Sequence, residues 1–281
     1  MSTMDREEKS MTSLFNHFKS GAKLGQHLLT SKDIARHVAE AANVAPGEWV
    51  IEVGPGKGML TRELLHMGAR VIAIEKDPEM TAILKTTFSK EIDSENLTLH
   101  LEDARDFLKN SPTTKPYKVV ANIPYYITGE LVRLFLTQAH QPTTISLLVQ
   151  KEVAERIAKT TKESLLSLSV KAYGTPRYIR TVKAGSFNPP PKVDSAILSI
   201  SNISRENFKN ISEEFFFNIL HAGFGQKRKT LKGNLRRTFK YSEELLGSVW
   251  EELRLDKNIR AEDVHLNEWL AITQLLESRL A

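Results

Sequence analysis

Three side chains suited to chemistry, an amide, a proline and an aromatic ring, directly follow the apolar run at residues 117–121. A purine amino group is a poor nucleophile because its lone pair is delocalised into the ring. The Asn122 side-chain oxygen and a backbone carbonyl of Ile123 or Pro124 could accept both of its hydrogens, which would aim the lone pair at an electrophile. Tyr125 offers a stacking face for a base taken out of its helix. An isolated segment of this kind is more often an ordinary strand-to-helix turn, so its surroundings decide the interpretation.

A glycine-rich turn, EVGPGKG at residues 52–58, follows the first predicted strand. Gly54 and Gly56 let the backbone turn sharply and approach a ligand, and the helix that follows offers free N–H groups. Taken alone the turn is weak evidence, because any tight strand-to-helix connection favours glycine. A dinucleotide fingerprint would need a glycine in place of Met59, and the phosphate-binding G-x-x-x-x-G-K-[ST] pattern is absent.

An acidic residue follows each of the next two strands. Glu75 ends one of them, where a carboxylate can accept hydrogen bonds from both hydroxyls of a ribose, and Asp103 follows the other, where it could meet an adenine amine. Each acid alone would more often be a helix cap or a solvated loop residue. Together with the glycine turn, in this order, they form the layout of class I methyltransferases that bind S-adenosylmethionine.

The elements that must position these residues alternate along the chain. Continuous apolar runs separated by amphipathic stretches predict a doubly wound α/β sheet, which binds ligands at the carboxyl ends of its strands. The predicted strands are residues 49–53, 70–74, 97–101, 117–121, 144–149, 177–183 and 195–201. The predicted helices between them are residues 33–43, 59–67, 78–88, 129–139, 151–159 and 165–173.

Strand signals end near residue 203, and the remainder reads as short helices. The predicted organisation is an N-terminal extension (1–22), a sheet domain (23–203) and a small all-helical domain (204–281). The helices predicted in the last domain are residues 213–220, 229–239, 243–253 and 267–280.

Composition limits the possible functions. The 281-residue chain has no cysteine, which excludes disulfides and thiolate metal sites, and the pattern of His, Asp and Glu predicts no metal site. No apolar run predicts a signal peptide or a membrane span, so the expected location is the cytoplasm. The net charge of +5 is modest evidence for a polyanionic partner. Residues 226–240 strengthen it, since they contain no acid and seven bases: Lys227, Arg228, Lys229, Lys232, Arg236, Arg237 and Lys240.

As a set, the motifs resemble the rRNA adenine N6-dimethyltransferase family, whose bacterial small-subunit members are called KsgA-type. The resemblance runs from about residue 23 to residue 200, and GQKRKTLKGNL is similar to the start of the family's helical C-terminal domain. The motifs that carry it are GQHLL (25–29), EVGPGKG (52–58), IEKD (74–77), EDA (102–104), NIPYYI (122–127), QKEVAERI (150–157) and SFNPPPKVDSAI (186–197).

The resemblance implies a Rossmann-like methyltransferase sheet, S-adenosylmethionine as cofactor and a role for each matched residue. The residues it assigns to the cofactor are Gln26, His27, Leu29, Gly54, Gly56, Glu75, Asp103, Ala104 and Asn122. The residues it assigns to the target base are Asn122, Pro124, Tyr125 and Phe187, the last stacking on the second face of the base. The basic residues assigned to rRNA phosphates are Lys227, Arg228, Lys229, Lys232, Arg236 and Arg237.

The implied reaction is methylation, performed twice, of the N6 amines of two adjacent adenosines in the 3′-terminal hairpin loop of small-subunit rRNA. The implied partner is an immature small ribosomal subunit, and a monomer is expected. Three alternatives stay open: a large-subunit rRNA methylase that confers antibiotic resistance, a nucleic-acid-binding transcription factor, and a non-catalytic assembly factor. One departure is ESLLS at residues 163–167, where many relatives have Y-G-R-L-S, so a family arginine is missing.

Overall fold

The computed structural model describes residues 27–110 and 115–280; Gln26 and the predicted extension (1–22) lie outside them. The strands within these ranges are, in chain order, β1 (Leu28–Leu29), β2 (Trp49–Val53), β3 (Arg70–Glu75), β4 (Leu97–Leu101), β5 (Tyr117–Asn122), β6 (Thr144–Gln150), β7 (Thr175–Val182), β8 (Phe187–Asn188) and β9 (Ser195–Ser201).

Helices connect most of these strands and make up most of the C-terminal part. Those up to β7 are α1 (Lys32–Glu40), α2 (Met59–His66), α3 (Pro78–Thr87), α4 (Ser89–Asp93), α5 (Ala104–Asn110), α6 (Thr128–Thr137), α7 (Lys151–Ala158) and α8 (Leu165–Tyr173). Those after β9 are α9 (Glu213–Gly223), α10 (Leu231–Phe239), α11 (Glu243–Glu252) and α12 (Leu266–Leu280).

The large sheet has seven strands in the order β4-β3-β2-β5-β6-β9-β7. The first five run parallel, and β9 and β7 complete the sheet as antiparallel neighbours. Strands β3 and β5 therefore flank β2, and the carboxyl ends of β2 to β5 meet at one edge. β1 and β8 pair with each other in a separate two-stranded sheet, with Leu29 opposite Phe187.

Apolar side chains cover both faces of the parallel strands, which explains their continuous hydrophobic runs. Along β2, Val50 belongs to the buried cluster on one face and Ile51 to the cluster on the other. The first cluster includes α1, and the second includes Leu131 and Phe135 of α6. The edge that carries the candidate site is thus the end of a rigid, doubly covered sheet.

A third buried cluster holds the C-terminal helices together. Trp269 and Phe216 are the largest of its fully buried members. Leu168 and Ala172 of α8 belong to the same cluster, so these helices rest directly on the sheet-bearing part of the chain. The predicted boundary between the two domains near residue 203 stays a prediction.

The unusual ESLLS segment forms an internal brace. Ser164 caps α8 by accepting from the backbone N–H of Ser167, and the Ser167 hydroxyl donates to the buried Glu163 carboxylate at 2.7 Å. Lys171 Nζ donates to the same carboxylate at 2.6 Å, and Glu163 N–H donates to the carbonyl of Glu262 at 2.7 Å. This segment connects α8 to the turn before α12.

The seven strands predicted from the sequence are the seven strands of the large sheet, and the predicted doubly wound class is confirmed. The sequence did not predict the short elements β1, β8, α4 and α5. Two-residue strands show no periodicity, and their pairing depends on a contact across more than 150 residues. Within the described part of the chain, no helix is long and apolar enough to cross a membrane.

Candidate active site

The glycine turn after β2 forms one wall of a cleft at the carboxyl edge of the sheet. Gly54 and Gly56 have φ angles of +67° and +55°, which side chains rarely adopt. A Cβ placed on Gly54 would project into the gap towards the Asn122 carbonyl oxygen, 3.8 Å away, and one on Gly56 would lie 2.7 Å from Leu28 Cδ2. A side chain on Gly54 would occupy the space beside the Asn122 carbonyl, which forms a cradle at the turn, whereas a side chain on Gly56 would collide with Leu28.

Glu75 is held at the floor of this cradle. Its carboxylate is 4% exposed and accepts from the backbone N–H groups of Gly56 at 3.2 Å and Asp77 at 3.0 Å. Each carboxylate oxygen has a second lone pair, so acceptor capacity remains for a ligand. The end of β3 therefore presents a fixed acceptor beside the glycine turn.

Asp103 presents a second carboxylate, after β4. Arg105, at the start of α5, forms two side-chain hydrogen bonds with this carboxylate. Its Nε donates to Oδ1 at 2.9 Å, and its Nη2 donates to Oδ2 at 2.7 Å. The hydrogen bonds from Arg105 lower the pKa of Asp103 to about 2, so the carboxylate is ionised at neutral pH. The backbone of Ala104 lies between them, and its side chain is buried.

Asn122 closes the cleft at the end of β5. Its Nδ2 donates to the backbone carbonyl oxygen of His27 at 3.0 Å. A carbonyl oxygen can only accept, so this bond fixes the orientation of the amide and turns Oδ1 away. Among the described residues no donor reaches Oδ1. The side chain therefore keeps one acceptor without a donor from the described residues, at the end of β5 where the Asn122 backbone carbonyl lies next to Gly54.

Tyr125 is anchored by contacts to two other segments. Its hydroxyl lies 2.6 Å from Ser195 Oγ, and its ring centroid is 5.8 Å from that of His27, at an angle of 31°. Burial raises the pKa of Tyr125, so the phenol is neutral. His27 Nδ1 in turn donates to the carbonyl of Pro189 at 2.7 Å. The turn after β5, the chain before β1 and the loop before β9 meet here.

Phe187 is placed differently from what its assigned role requires. Its ring is 3% exposed and belongs to the buried cluster that also contains Leu29 and Val182. In this arrangement it offers no free face to a base. Its stacking role stays a prediction, and it would need β1 and β8 to separate. Gln26 lies outside the described residues, and Leu29 lines the cluster rather than the cleft.

The basic residues predicted to contact RNA lie on α10 and on the segments directly before and after it, and they fall into two groups. Lys232 and Arg236 pair with Glu243 of α11, the second at 3.3 Å, so part of their charge is compensated. The others are exposed and form no ion pair with the described residues: Lys227, Arg228, Lys229, Arg237 and Lys240. Asn234 is buried and donates to the carbonyls of Gly223 and Gln226, which anchors the loop before α10.

Glu52 is a buried carboxyl group to which the sequence analysis assigned no role. It is 1% exposed, and neither of its oxygens has a hydrogen-bond partner among the described residues. Burial raises the pKa of Glu52 to about 8; contact with Thr61 opposes the shift and the charge of Glu75 adds to it. The signal available in the sequence was an acid inside an apolar strand.

Metal ligation finds no support in the described ranges, where no group of three or more His, Asp or Glu side chains is arranged to hold an ion.

We predict that Glu52→Gln removes a pH-dependent loss of stability. A carboxyl group whose pKa rises from 4.5 to about 8 on folding stabilises the protein fully below pH 4.5, and this contribution is lost as the pH rises to 8. Relative to the wild type, the free energy of unfolding of the variant should therefore increase between pH 4.5 and pH 8. The increase is at most about 5 kcal/mol, because one pKa unit corresponds to about 1.4 kcal/mol. Urea unfolding at several pH values measures it.

Glu251→Gln, a change of an exposed carboxylate on α11, is the control and should follow the wild type at every pH. A constant difference between Glu52→Gln and the wild type from pH 4.5 to 8 would contradict the assignment of the raised pKa to Glu52.

Comparisons with known proteins find similar sequences over nearly the whole chain. Residues 17–278 match the family described as "Ribosomal RNA adenine dimethylase". A protein of Dehalococcoides mccartyi named "Ribosomal RNA small subunit methyltransferase A" is 40% identical over 257 residues, covering 89% of this chain and 86% of the relative. A protein of the same name from Fusobacterium nucleatum is 35% identical and covers 93% of this chain and 99% of the relative.

Two solved structures share the fold. A dimethyladenosine transferase from Plasmodium falciparum has a TM-score of 0.77 and 27% identity, over 90% of this chain and 98% of its own. The 23S rRNA methyltransferase ErmE has a TM-score of 0.70 over 89% of this chain and 99% of its own, and at 24% identity it shows the fold alone. The predicted Rossmann-like methyltransferase sheet with a helical C-terminal part is confirmed. This chain belongs to the ribosomal RNA adenine dimethylase family.

Proposed function

We propose that this chain transfers methyl groups from S-adenosylmethionine to the N6 amines of two adjacent adenosines in the 3′-terminal hairpin loop of small-subunit rRNA. The observation that carries the proposal is the oriented amide of Asn122, whose Nδ2 is bound to the His27 carbonyl and whose Oδ1 has no donor among the described residues. The names of the relatives in Dehalococcoides mccartyi and Fusobacterium nucleatum support the small subunit as substrate.

The residues around the cradle fit the proposed cofactor. When bound, S-adenosylmethionine supplies a methyl group that is activated by a positively charged sulfur. Gly54 leaves the space that a cofactor needs next to Asn122, Glu75 offers acceptors for ribose hydroxyls, and Asp103 offers an ionised acceptor for an adenine amine. Both carboxylates also favour a cationic ligand. Arg105 must share Asp103 with that amine, which the remaining lone pairs of the carboxylate allow.

The turn after β5 would prepare the target amine. Asn122 Oδ1 accepts one hydrogen, and a backbone carbonyl of Ile123 or Pro124 accepts the other, so that the nitrogen lone pair points at the methyl group. The Pro124 carbonyl already accepts from Ile127 N–H at 3.1 Å, which holds the turn rigid and leaves one lone pair. No base must act first, because the amine becomes acidic once it carries the methyl group.

Tyr125 would hold the ring of the target base. Its hydroxyl is fixed to Ser195, so the orientation of the aromatic ring is set before the substrate arrives. Stacking on a fixed ring avoids ordering that ring at the moment of binding. This preorganisation, together with the two acceptors, makes catalysis mainly a matter of positioning.

The loop before α10 would bind rRNA phosphates. Lys227, Arg228 and Lys229 are exposed and without ion pairs in the described part of the chain, and the buried Asn234 anchors the loop that carries them. We propose that the chain acts in the cytoplasm as a monomer on immature small subunits. It would use residues 23–203 for methyl transfer and residues 204–281 for binding.

The proposal predicts dimethyladenosine in small subunits that lack it, after incubation with this protein and S-adenosylmethionine. Mass spectrometry of the digested nucleosides measures the product. Asn122→Ala should lower the rate at least about a hundredfold, because removing one preorganised hydrogen-bonding group typically costs that much. Binding of the variant to the particle should stay close to wild type.

Asn258→Ala, at an exposed position before α12, is the matched control and should methylate normally. Naked large-subunit rRNA is treated in parallel. Dimethyladenosine in that RNA alone would show that the protein is a large-subunit rRNA methylase. A wild-type methylation rate in Asn122→Ala would contradict the proposed role of this amide.

We also predict that replacing Lys227, Arg228 and Lys229 together by alanine weakens rRNA binding and its dependence on salt. Three lost phosphate contacts should lower the slope of log Kd against log salt by about 2. Filter binding over a range of salt concentrations measures the slope. Arg236→Ala removes a positive charge that Glu243 already compensates. It should change the slope by less than the loss of one full phosphate contact would. Equal effects of the single and triple variants would contradict this division.

A further inference from the structure

One exposed aromatic ring at the mouth of the cleft has no place in the reaction described above. Tyr126 follows Tyr125 directly, yet it is 55% exposed, and among the described residues it is the one aromatic side chain in the set of exposed large hydrophobic residues. The turn Tyr125–Ile127 directs the two neighbouring rings differently, because Tyr125 is fixed to Ser195 and Tyr126 contacts Lys76.

A cation lies beside this ring. Lys76 Nζ donates to the Tyr126 hydroxyl at 3.2 Å and lies 6.0 Å from the ring centroid. Arg105 is paired with Asp103, and its Nη1 lies 3.8 Å from Glu130 Oε2, so its charge is already compensated. Lys76 follows β3, whereas Tyr126 follows β5, so the contact spans the turn after β2.

An exposed aromatic ring with a cation at its edge has the composition of a site for single-stranded nucleic acid. A base stacks on the ring, and the cation attracts a neighbouring phosphate. Since Tyr126 is the neighbour of Tyr125, a nucleotide on its ring would be next to the base held by Tyr125. We infer that Tyr126, with Lys76, binds the unpaired RNA nucleotide adjacent to the target adenosine. This inference rests on the proposed function.

The cofactor is a less suitable occupant for the ring. Two of the residues proposed to contact it are buried, since Glu75 is 4% exposed and Ala104 is 8% exposed. Tyr126 is 55% exposed. A ring that faces solvent in this way is available to a large ligand that approaches from outside, as the RNA must.

The test compares Tyr126→Ala, Tyr126→Phe and Tyr126→Trp with the wild type. We measure equilibrium binding to unmethylated small subunits, KM and kcat for methylation, and Kd for S-adenosylhomocysteine by calorimetry. Tyr126→Ala should weaken particle binding and raise KM at least about fivefold, as expected for one lost base–aromatic stack, with the cofactor Kd unchanged. The phenylalanine and tryptophan variants keep a ring and should stay within about twofold of the wild type.

Leu280→Ala removes a similarly exposed apolar side chain from the end of α12 and serves as the control, expected to behave as the wild type. Wild-type binding and KM in Tyr126→Ala would overturn the inference, as would a loss confined to S-adenosylhomocysteine binding, which would assign the ring to the cofactor. Failure of the proposed function has a different signature: the wild type itself then makes no dimethyladenosine, while the binding comparison still reports on the ring.

Discussion

Parallel pairing of β2 with β3 and β5 is the constraint on which the site depends. The register places Val53 opposite both Ile74 and Ala121, so the three strands end at one level. The glycine turn, Glu75 and Asn122 then emerge side by side although the chain separates them by up to about seventy residues. Both faces of these strands are buried against other side chains, so a change of register would disrupt the packing on each face and is disfavoured.

The second constraint is the return of the chain to this edge from two distant points. The segment before β1 supplies the His27 carbonyl that orients Asn122, and Ser195 at the start of β9 supplies the hydroxyl that fixes Tyr125. The sheet alone would position the backbone of the turn but leave both side chains free to rotate. With the two contacts, the acceptor and the aromatic ring are in place before any ligand binds.

Sequence patterns were sufficient to predict the strands of the large sheet, because these strands are continuous apolar runs. They also predicted that the acids and glycines lie together, because the carboxyl ends of parallel strands meet at one edge of a sheet. They could not show that Phe187 is buried, since that depends on the pairing of β8 with β1. They could not show that Glu243 neutralises part of the basic segment, because the acid lies on the next helix. Long-range contacts of this kind leave no local signal, whereas the burial of Glu52 had one, because this acid lies inside a predicted apolar strand.

The most direct test of the account is a crystal structure of the protein with S-adenosylhomocysteine. The account predicts the ribose hydroxyls within hydrogen-bond distance of Glu75, the adenine amine at Asp103, and the sulfur facing the side of the cleft where Asn122 Oδ1 lies. A ligand bound elsewhere, or one whose sulfur points away from Asn122 while the amide keeps its bond to the His27 carbonyl, would contradict it.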